Sequence, residues 1–408
     1  MKNYLSRRIE PVLGKCLREF PCVVLTGPRQ SGKTTLVRHF LRETHALISL
    51  DEPDVREVAR RDPRTFLSTN KPPVIFDEIQ YAPELLNYIK HHIDKNRNMK
   101  GQYVLTGSQM FPLMSNVSES LAGRASVLTL HPLSWGERLG TLPSSSPVEY
   151  PVNGIPGGPG PDGIAEGMLR GGFPELTVEK DRDSRRWYSS YVQTYLERDV
   201  RNLRNVGDIE EFLRFIKALA ARNGQLINMA DIGRDIGLAL NTVKAWISIL
   251  VASHQVVLLR PYFRNMGKRL VKSPRVYFMD SGLVCYLSGI QTAKHLLNGP
   301  MGGALFESEF IAELIKWNCN KGYQPALYSW RTSDGKEVDC VMEEEGRLWP
   351  FEVKSSSTFK VDFAGAVADF METFPEAKHG RVVYAGEKVW SLADDRITAV
   401  PFSWVSMW

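Results

Sequence analysis

Short apolar runs set at intervals dominate the first third of the chain. Val23-Val24-Leu25 is followed by Ala46 to Leu50, Val74 to Phe76, Tyr103 to Thr106 and Ser126 to Leu130. The gaps between them leave room for helices, and the first gap holds an amphipathic stretch, Leu36 to Leu41. Apolar strands alternating with helical stretches predict a parallel sheet covered by helices on both faces. The pattern breaks between Thr141 and Ala165. There Leu142 to Pro147 and Gly154 to Gly163 are so rich in proline, glycine and serine that no core can form, which reads as a flexible insertion with order resuming near Met168.

The chemistry of the first third lies where its strands end. Gly27-Pro28-Arg29-Gln30-Ser31-Gly32-Lys33-Thr34-Thr35 matches the phosphate-binding pattern G-x-x-x-x-G-K-[ST], with a strand before it and a helix after it. The two glycines let successive N–H groups turn inward toward phosphate oxygens, and the following helix adds its positive end. Lys33 is placed to reach the β- and γ-phosphates, and the Thr34 hydroxyl to ligate Mg²⁺. The third apolar run ends in Asp77-Glu78, at the carboxyl end of a strand where open α/β sheets bind ligands. Asp77 is read as holding Mg²⁺ through its water shell and Glu78 as activating the attacking water; the alternative is a pair of solvated acids capping the next helix. Ser108, after the fourth run, is a candidate sensor of nucleotide state. Arg124, at the end of a predicted helix running from Ser118, is a candidate arginine finger for a neighbouring subunit, or a cation satisfying the helix's last carbonyls.

These motifs resemble those of bacterial and archaeal AAA+ ATPases that carry a domain of unknown function numbered 4143 behind the nucleotide domain. Residues 1 to about 290 carry the likeness: the glycine loop with Pro28-Arg29-Gln30, Phe76-Asp77-Glu78-Ile79-Gln80, Leu105-Thr106-Gly107-Ser108, Leu121-Ala122-Gly123-Arg124, Gly171-Gly172-Phe173-Pro174-Glu175 and Arg198-Asp199-Val200. The resemblance implies an AAA+ fold and ATP hydrolysis in an oligomer. It supplies no settled biological role.

Beyond the break, Arg182 to Asn202 has helical character, with Trp187, Tyr188, Tyr191 and Tyr195 spaced as the buried stripe of one face. Residues 208–278 follow a helix-turn-helix pattern: Glu210 to Arg222, Asn228 to Ile236, then Thr242 to Val251 with Val243, Trp246, Ile247 and Leu250 inward. Strand-like Val256 to Leu259 and Val276 to Phe278 flank a loop, which gives a winged helix in outline with the third helix as groove-reading element. Between positions 260 and 275 stand Arg260, Arg264, Lys268, Arg269, Lys272 and Arg275 and no acid. Such a wing suits phosphate contacts, while Asn241, Thr242, Lys244 and Ser248 on the third helix offer little base readout, so DNA binding is expected to be sequence-tolerant. The competing reading is a lid or protein-binding module.

From about residue 303 the order is a helix carrying Glu307, a strand at Ala326 to Trp330, one at Glu337 to Met342 and one at Trp349 to Lys354. Asp339 with Glu352-x-Lys354 resembles the PD-(D/E)xK nuclease fold, since Glu352 and Lys354 fall on one side of their strand and converge with Asp339 next door. Glu307, Asp339 and Glu352 are then candidate Mg²⁺ ligands and Lys354 the group that positions water. A salt-bridged hairpin, or the same fold without catalysis, fits the same residues.

The expected architecture is α/β: a P-loop AAA+ domain over residues 1–140, the insertion 141–165, a helical connector 166–207, a winged helix 208–290 and a restriction-endonuclease-like domain 291–408. A length of 408 residues accommodates that many units. With 43% hydrophobic and 24% charged residues and a net charge of +5, the composition is that of a soluble globular chain whose partners charge alone does not define. No apolar run approaches the ~20 residues of a membrane span, and nothing behind Met1 resembles a secretory signal. Five scattered cysteines without Cys-x-x-Cys spacing look like reduced cytoplasmic thiols. Three functions remain: a Mg²⁺- and ATP-dependent DNA translocase or branched-DNA remodeller acting as a homo-oligomer, an ATPase switch for a protein partner, and an ATP-gated nuclease.

Overall fold

The computed structural model describes residues 4–108, 120–149, 158–196, 209–265, 267, 272–392 and 395–408. Lys268, Arg269, Ser118 and the Arg198-Asp199-Val200 motif therefore lie outside the described residues, as does the side chain of Tyr195.

The first five strands, β1 (Cys22–Thr26), β2 (Ala46–Ser49), β3 (Val74–Asp77), β4 (Tyr103–Thr106) and β5 (Ala125–Thr129), pair in the order β2-β3-β4-β1-β5, every neighbour parallel. Alternation along each strand divides their side chains between two cores. Val23, Leu25, Ile75, Val104 and Leu128 pack on one face against α1 (Glu10–Glu19) and α2 (Lys33–Phe40). Cys22, Val24, Val74, Phe76, Tyr103 and Leu105 pack on the other against α3 (Pro53–Arg61), α4 (Pro63–Thr69) and α5 (Leu85–Lys95). Both faces are buried, which is why these runs carry no polar alternation. Helix α6 (Trp135–Leu139) follows β5, capped by Ser134 and Glu137 together.

The insertion is shorter than composition suggests. Ser144 and Ser145 donate backbone N–H groups to the Met407 carbonyl, and helix α7 (Pro161–Arg170) begins at Pro161, ahead of the expected Met168. Proline at the first helical position and the spacing of the buried Ile164, Ala165 and Met168 outweigh the glycine content around them. Helices α8 (Pro174–Val178) and α9 (Ser184–Tyr191) follow, with Trp187, Tyr188 and Tyr191 buried as the aromatic stripe predicted.

The helix-turn-helix is α10 (Ile209–Ala220), α11 (Met229–Ile236) and α12 (Leu240–Ala252), with a bend of 111° between the last two. Its wing is the antiparallel pair β6 (Val256–Pro261) and β7 (Arg275–Phe278). Next come α13 (Ser281–Leu287), α14 (Ala293–Asn298), the long α15 (Gly302–Asn320), β8 (Leu327–Arg331), β9 (Glu337–Glu344), β10 (Arg347–Lys354), α16 (Gly365–Thr373) and β11 (Gly380–Tyr384), β12 (Trp390–Leu392) and β13 (Ile397–Pro401). From α15 onward the order is helix, three strands, helix and three strands, an α/β domain with a mixed sheet. The wing does not stand apart from it: β6 runs parallel to β8, with Arg260 opposite Tyr328, so one mixed sheet runs β12-β13-β11-β10-β9-β8-β6-β7. A single apolar core likewise runs from Trp135 through the winged helix to Trp408. Among the described residues no single helix is long and apolar enough to cross a membrane, and all five cysteines are buried and unbridged.

Candidate functional site

The glycine loop closes over the carboxyl ends of the parallel strands, at the mouth of a cleft of about 650 Å³. Gly27 has φ 142°, and a Cβ there would sit 2.1 Å from the Leu130 carbonyl oxygen, so only glycine fits. Gly32 (φ 94°) caps α2, whose first residue, Lys33, sends its Nζ back to the carbonyls of Gly27 (3.0 Å) and Pro28 (2.8 Å). Arg29, Gln30, Lys33, Thr34 and Thr35 all line the cleft, as the motif predicts.

Strand order explains the acids. β4 lies between β1 and β3, so groups at its end meet both the loop and the acidic pair. The Thr34 hydroxyl donates to Asp77 at 2.9–3.0 Å, bringing together the two residues assigned to Mg²⁺. Thr106, overlooked in the sequence, donates its hydroxyl to Asp77 and accepts the Glu78 backbone N–H at 3.2 Å. Burial pushes the Asp77 carboxyl up, and the Thr106 and Thr34 hydroxyls pull it back toward the ionised form. This donor set fits a hydrated divalent cation. Glu78 adopts a left-handed backbone (φ 58°), and its carboxylate accepts from Gln80 and from Ser108 Oγ, the latter at 3.1 Å. Ser108 therefore touches Glu78, the residue expected to activate water.

Arg124 is not among the residues lining the cleft of its own chain. It grips Asp94 on α5 through two bonds of 2.7 and 3.0 Å and donates to the Ala122 carbonyl, the structural role that its position also allowed.

The cleft's other walls come from outside the motif. Tyr4, Leu5 and Arg7 enter from the N-terminal segment, Leu133 follows β5, and Pro174 and Glu175 of the Gly171 to Glu175 motif close the far side. Beneath the loop, His254 at the end of α12 brings Nε2 to 3.5 Å from Thr26 Oγ1 and sets its ring edge-to-face on His131, 5.6 Å between centroids. The residue two positions past the helix-turn-helix thus touches the end of the strand that feeds the phosphate loop. Burial, the neighbouring imidazole and the Lys316 and Arg7 charges hold His131 far below the usual imidazole range, while burial and Lys33 hold His254 at about 4. An unfolded chain protonates both near 6.5 and the native state does not, so stability is full above that pH and declines as pH falls toward 4. Each histidine is expected to cost about a factor of ten in the folding equilibrium per pH unit across that window. Chemical denaturation at pH 7, 6 and 5 checks this, with His254→Asn, tolerant of the left-handed φ of 57°, giving the shallower slope.

In the C-terminal sheet Glu307, Asp339, Glu352 and Lys354 come together as predicted. Lys354 pairs with Glu352, and Asp339 accepts the Val353 N–H at 2.8 Å. Burial and the Asp339 charge raise both Glu307 and Glu352 to about 8. Two partners were not anticipated. Tyr277 donates its hydroxyl to Glu307, and Arg275 lies 3.5 Å from Glu307 and 2.6 Å from Glu337. Among the described residues no three acids, histidines or cysteines stand in a geometry that would hold a metal ion, and Arg275 and Lys354 supply the positive charge among the carboxyls.

The wing is likewise partly committed. Arg264 pairs with Glu376 at 3.3 Å and lies over the Phe374 ring, and Arg275 is buried in the acid cluster. Lys272 is exposed, and Lys244 on α12 faces an apolar cleft of about 1000 Å³ shared with Thr129, His131 and Pro325.

A parallel sheet in this order, a glycine loop on a helix N-terminus and an adjoining acid pair define a P-loop ATPase fold. Comparison with known families agrees: an AAA domain matches residues 19–139, a domain of unknown function (DUF8612) residues 162–294, and the domain of unknown function DUF4143 residues 302–405. The last match takes in Glu307, Asp339, Glu352 and Lys354, so the likeness noted for residues 1 to 290 extends to the C-terminal sheet. The chain is 31% identical over 395 residues to uncharacterized protein Rv2008c of Mycobacterium tuberculosis, covering 95% of this chain and 82% of that one. Uncharacterized protein Mb2031c of Mycobacterium bovis matches with the same figures. The chain belongs to this family of AAA-domain proteins with a C-terminal DUF4143 domain. Among solved structures it is similar to the Walker-type ATPase PABY2304 of Pyrococcus abyssi, with 17% identity, coverage of 70% of this chain and 96% of that one, and a TM-score of 0.46.

Proposed function

We propose that the protein is a Mg²⁺-dependent ATPase that works in the cytoplasm as a homo-oligomer and couples hydrolysis to sequence-tolerant holding and rearrangement of DNA. The observation that carries the reading is the contact of Thr26 with His254, where the strand bearing the phosphate loop meets the helix-turn-helix. A loop that shifts when triphosphate binds moves a group in contact with His254, two positions past α12. Thr34 and Asp77 would hold the metal, which neutralises charge on the phosphates. Lys33 leaves the loop carbonyls for the phosphates, and Glu78 takes the proton of the attacking water while Ser108 keeps its carboxylate aimed. In an oligomer Arg124 would exchange Asp94 for the neighbouring subunit's phosphates.

Turnover measured with no DNA and with single-stranded, duplex and four-way DNA tests this. Stimulation by DNA, with affinity that falls steeply as salt rises, is expected from phosphate contacts through Lys244, Lys272, Lys268 and Arg269. ATP turnover indifferent to every DNA would favour the switch acting on a protein partner. The converging carboxyls and Lys354 favour one further reading, an ATP-gated nuclease, in which Mg²⁺-dependent cleavage is lost in Glu352→Ala, while Lys33→Ala keeps the cleavage site and loses only its response to ATP. Absence of cleavage at any metal concentration sinks it.

A further inference from the structure

Arg7 lies outside every motif in the chain, yet it is buried, with 6% of its surface exposed, and its guanidinium is fully engaged at the edge of the nucleotide cleft. Nε meets Glu137 at 3.0 Å and Nη2 meets the same carboxylate at 3.4 Å. Nη2 also donates to the His131 carbonyl at 2.7 Å, and Nη1 donates to the Ser31 carbonyl inside the glycine loop at 2.8 Å. Glu137 is fixed in turn. Burial pushes its carboxyl up, but Arg7 and the N–H groups of Ser134 and Arg8 hold it below the usual range, so it stays charged.

The bond to Ser31 has a geometric consequence. In a planar trans peptide the C=O and the N–H point in opposite directions. The carbonyl of Ser31 and the N–H of Gly32 belong to one peptide plane, so anchoring the oxygen on Arg7 turns the Gly32 N–H the other way, off Arg7. That N–H is one of the cradle's donors. Gly32 has no side chain to resist rotation of this plane, and its φ of 94° lies in the left-handed region that glycine alone adopts readily.

We infer that Arg7 is a positioning residue for the phosphate cradle: it fixes the Ser31–Gly32 peptide so that the loop is aligned before triphosphate arrives. This rests on the ATPase reading above. Lysine at position 7 keeps the charge but has no planar fork to reach Glu137, His131 and Ser31 together.

The test measures ATP turnover in wild type, Arg7→Lys, Arg7→Ala and, as control, Arg8→Ala, whose side chain bonds the Ser406 carbonyl and Thr141 instead of the loop. A wild type that does not turn over ATP overturns the parent reading before any variant is needed. Given an active wild type, Arg7→Lys and Arg7→Ala are expected to raise KM for ATP at least about tenfold, the weight of a charged hydrogen bond, with a smaller fall in kcat. Added guanidinium ion is expected to restore part of the affinity in Arg7→Ala, and Arg8→Ala to keep its KM while melting earlier. Wild-type KM in a folded Arg7→Lys or Arg7→Ala overturns the inference. So does a KM increase of the same size in Arg8→Ala, or failure of both Arg7 variants to fold, either of which makes Arg7 a structural cation.

Discussion

Glu78→Gln is expected to bind ATP as wild type does and to hydrolyse it about 10²- to 10⁴-fold more slowly, the range typical of a lost general base. The substitution keeps the shape of the side chain and its contacts with Gln80 and Ser108, while removing the charge that accepts a proton. Lys33→Ala should lose binding as well as turnover, because the ammonium that now bridges the Gly27 and Pro28 carbonyls is the group available to the phosphates. The two variants therefore separate on a nucleotide-binding assay run beside a phosphate-release assay. Undiminished turnover in Glu78→Gln would remove it from the water-activating role, and tight ATP binding by Lys33→Ala would contradict the assignment of the loop.

The second large effect concerns how the C-terminal half is fastened to the nucleotide domain. Lys316 on α15 is buried like a core residue: its side chain is 5% exposed, that of its partner Glu313 2%, and the two are 2.8 Å apart. Lys316 also donates to the Leu133 carbonyl, Glu313 accepts the Trp135 N–H at 3.0 Å, and Glu309 accepts the Trp135 indole N–H at 2.6 Å. Removing the cation alone strands buried carboxylates beside each other. Lys316→Ala should therefore cost about 3–5 kcal/mol, read as a lowered denaturation midpoint. Lys316→Met combined with Glu313→Leu should recover most of that loss, short of the Trp135 N–H left without its acceptor. A single variant that loses less than about 1 kcal/mol would mean that water reaches the pair.

Legibility in the sequence followed the range over which the chemistry is written. The glycine loop, Asp77, Glu78 and Ser108 each stand at the end of an apolar strand, and their neighbours in the chain already say strand, turn or helix. Asp339, Glu352 and Lys354 were legible for the same reason, since the two-residue period of a strand puts the last two on one side. Thr106 was missed because a threonine closing a strand is ordinary; only the placing of β4 between β1 and β3 makes it a partner of both acids. Arg275 was read as part of a basic wing, and it is instead the counter-ion of Glu307 and Glu337. Charge counted along a loop does not reveal which cations are buried against acids more than thirty positions away. The helix at Pro161 was hidden by composition averaged over a window, although a proline at its first turn marked the start.

By itself the sequence determined the nucleotide domain and the chemistry at its strand ends, because backbone geometry and apolar periodicity act over a few residues and need no distant partner. Only the tertiary structure decided what surrounds that chemistry: Arg7 on the loop's carbonyl, His254 under its strand, and one sheet shared by the wing and the C-terminal domain. Those contacts join positions separated by 24 to 228 residues, and their pairing is set by the packing of whole elements, which no local pattern encodes.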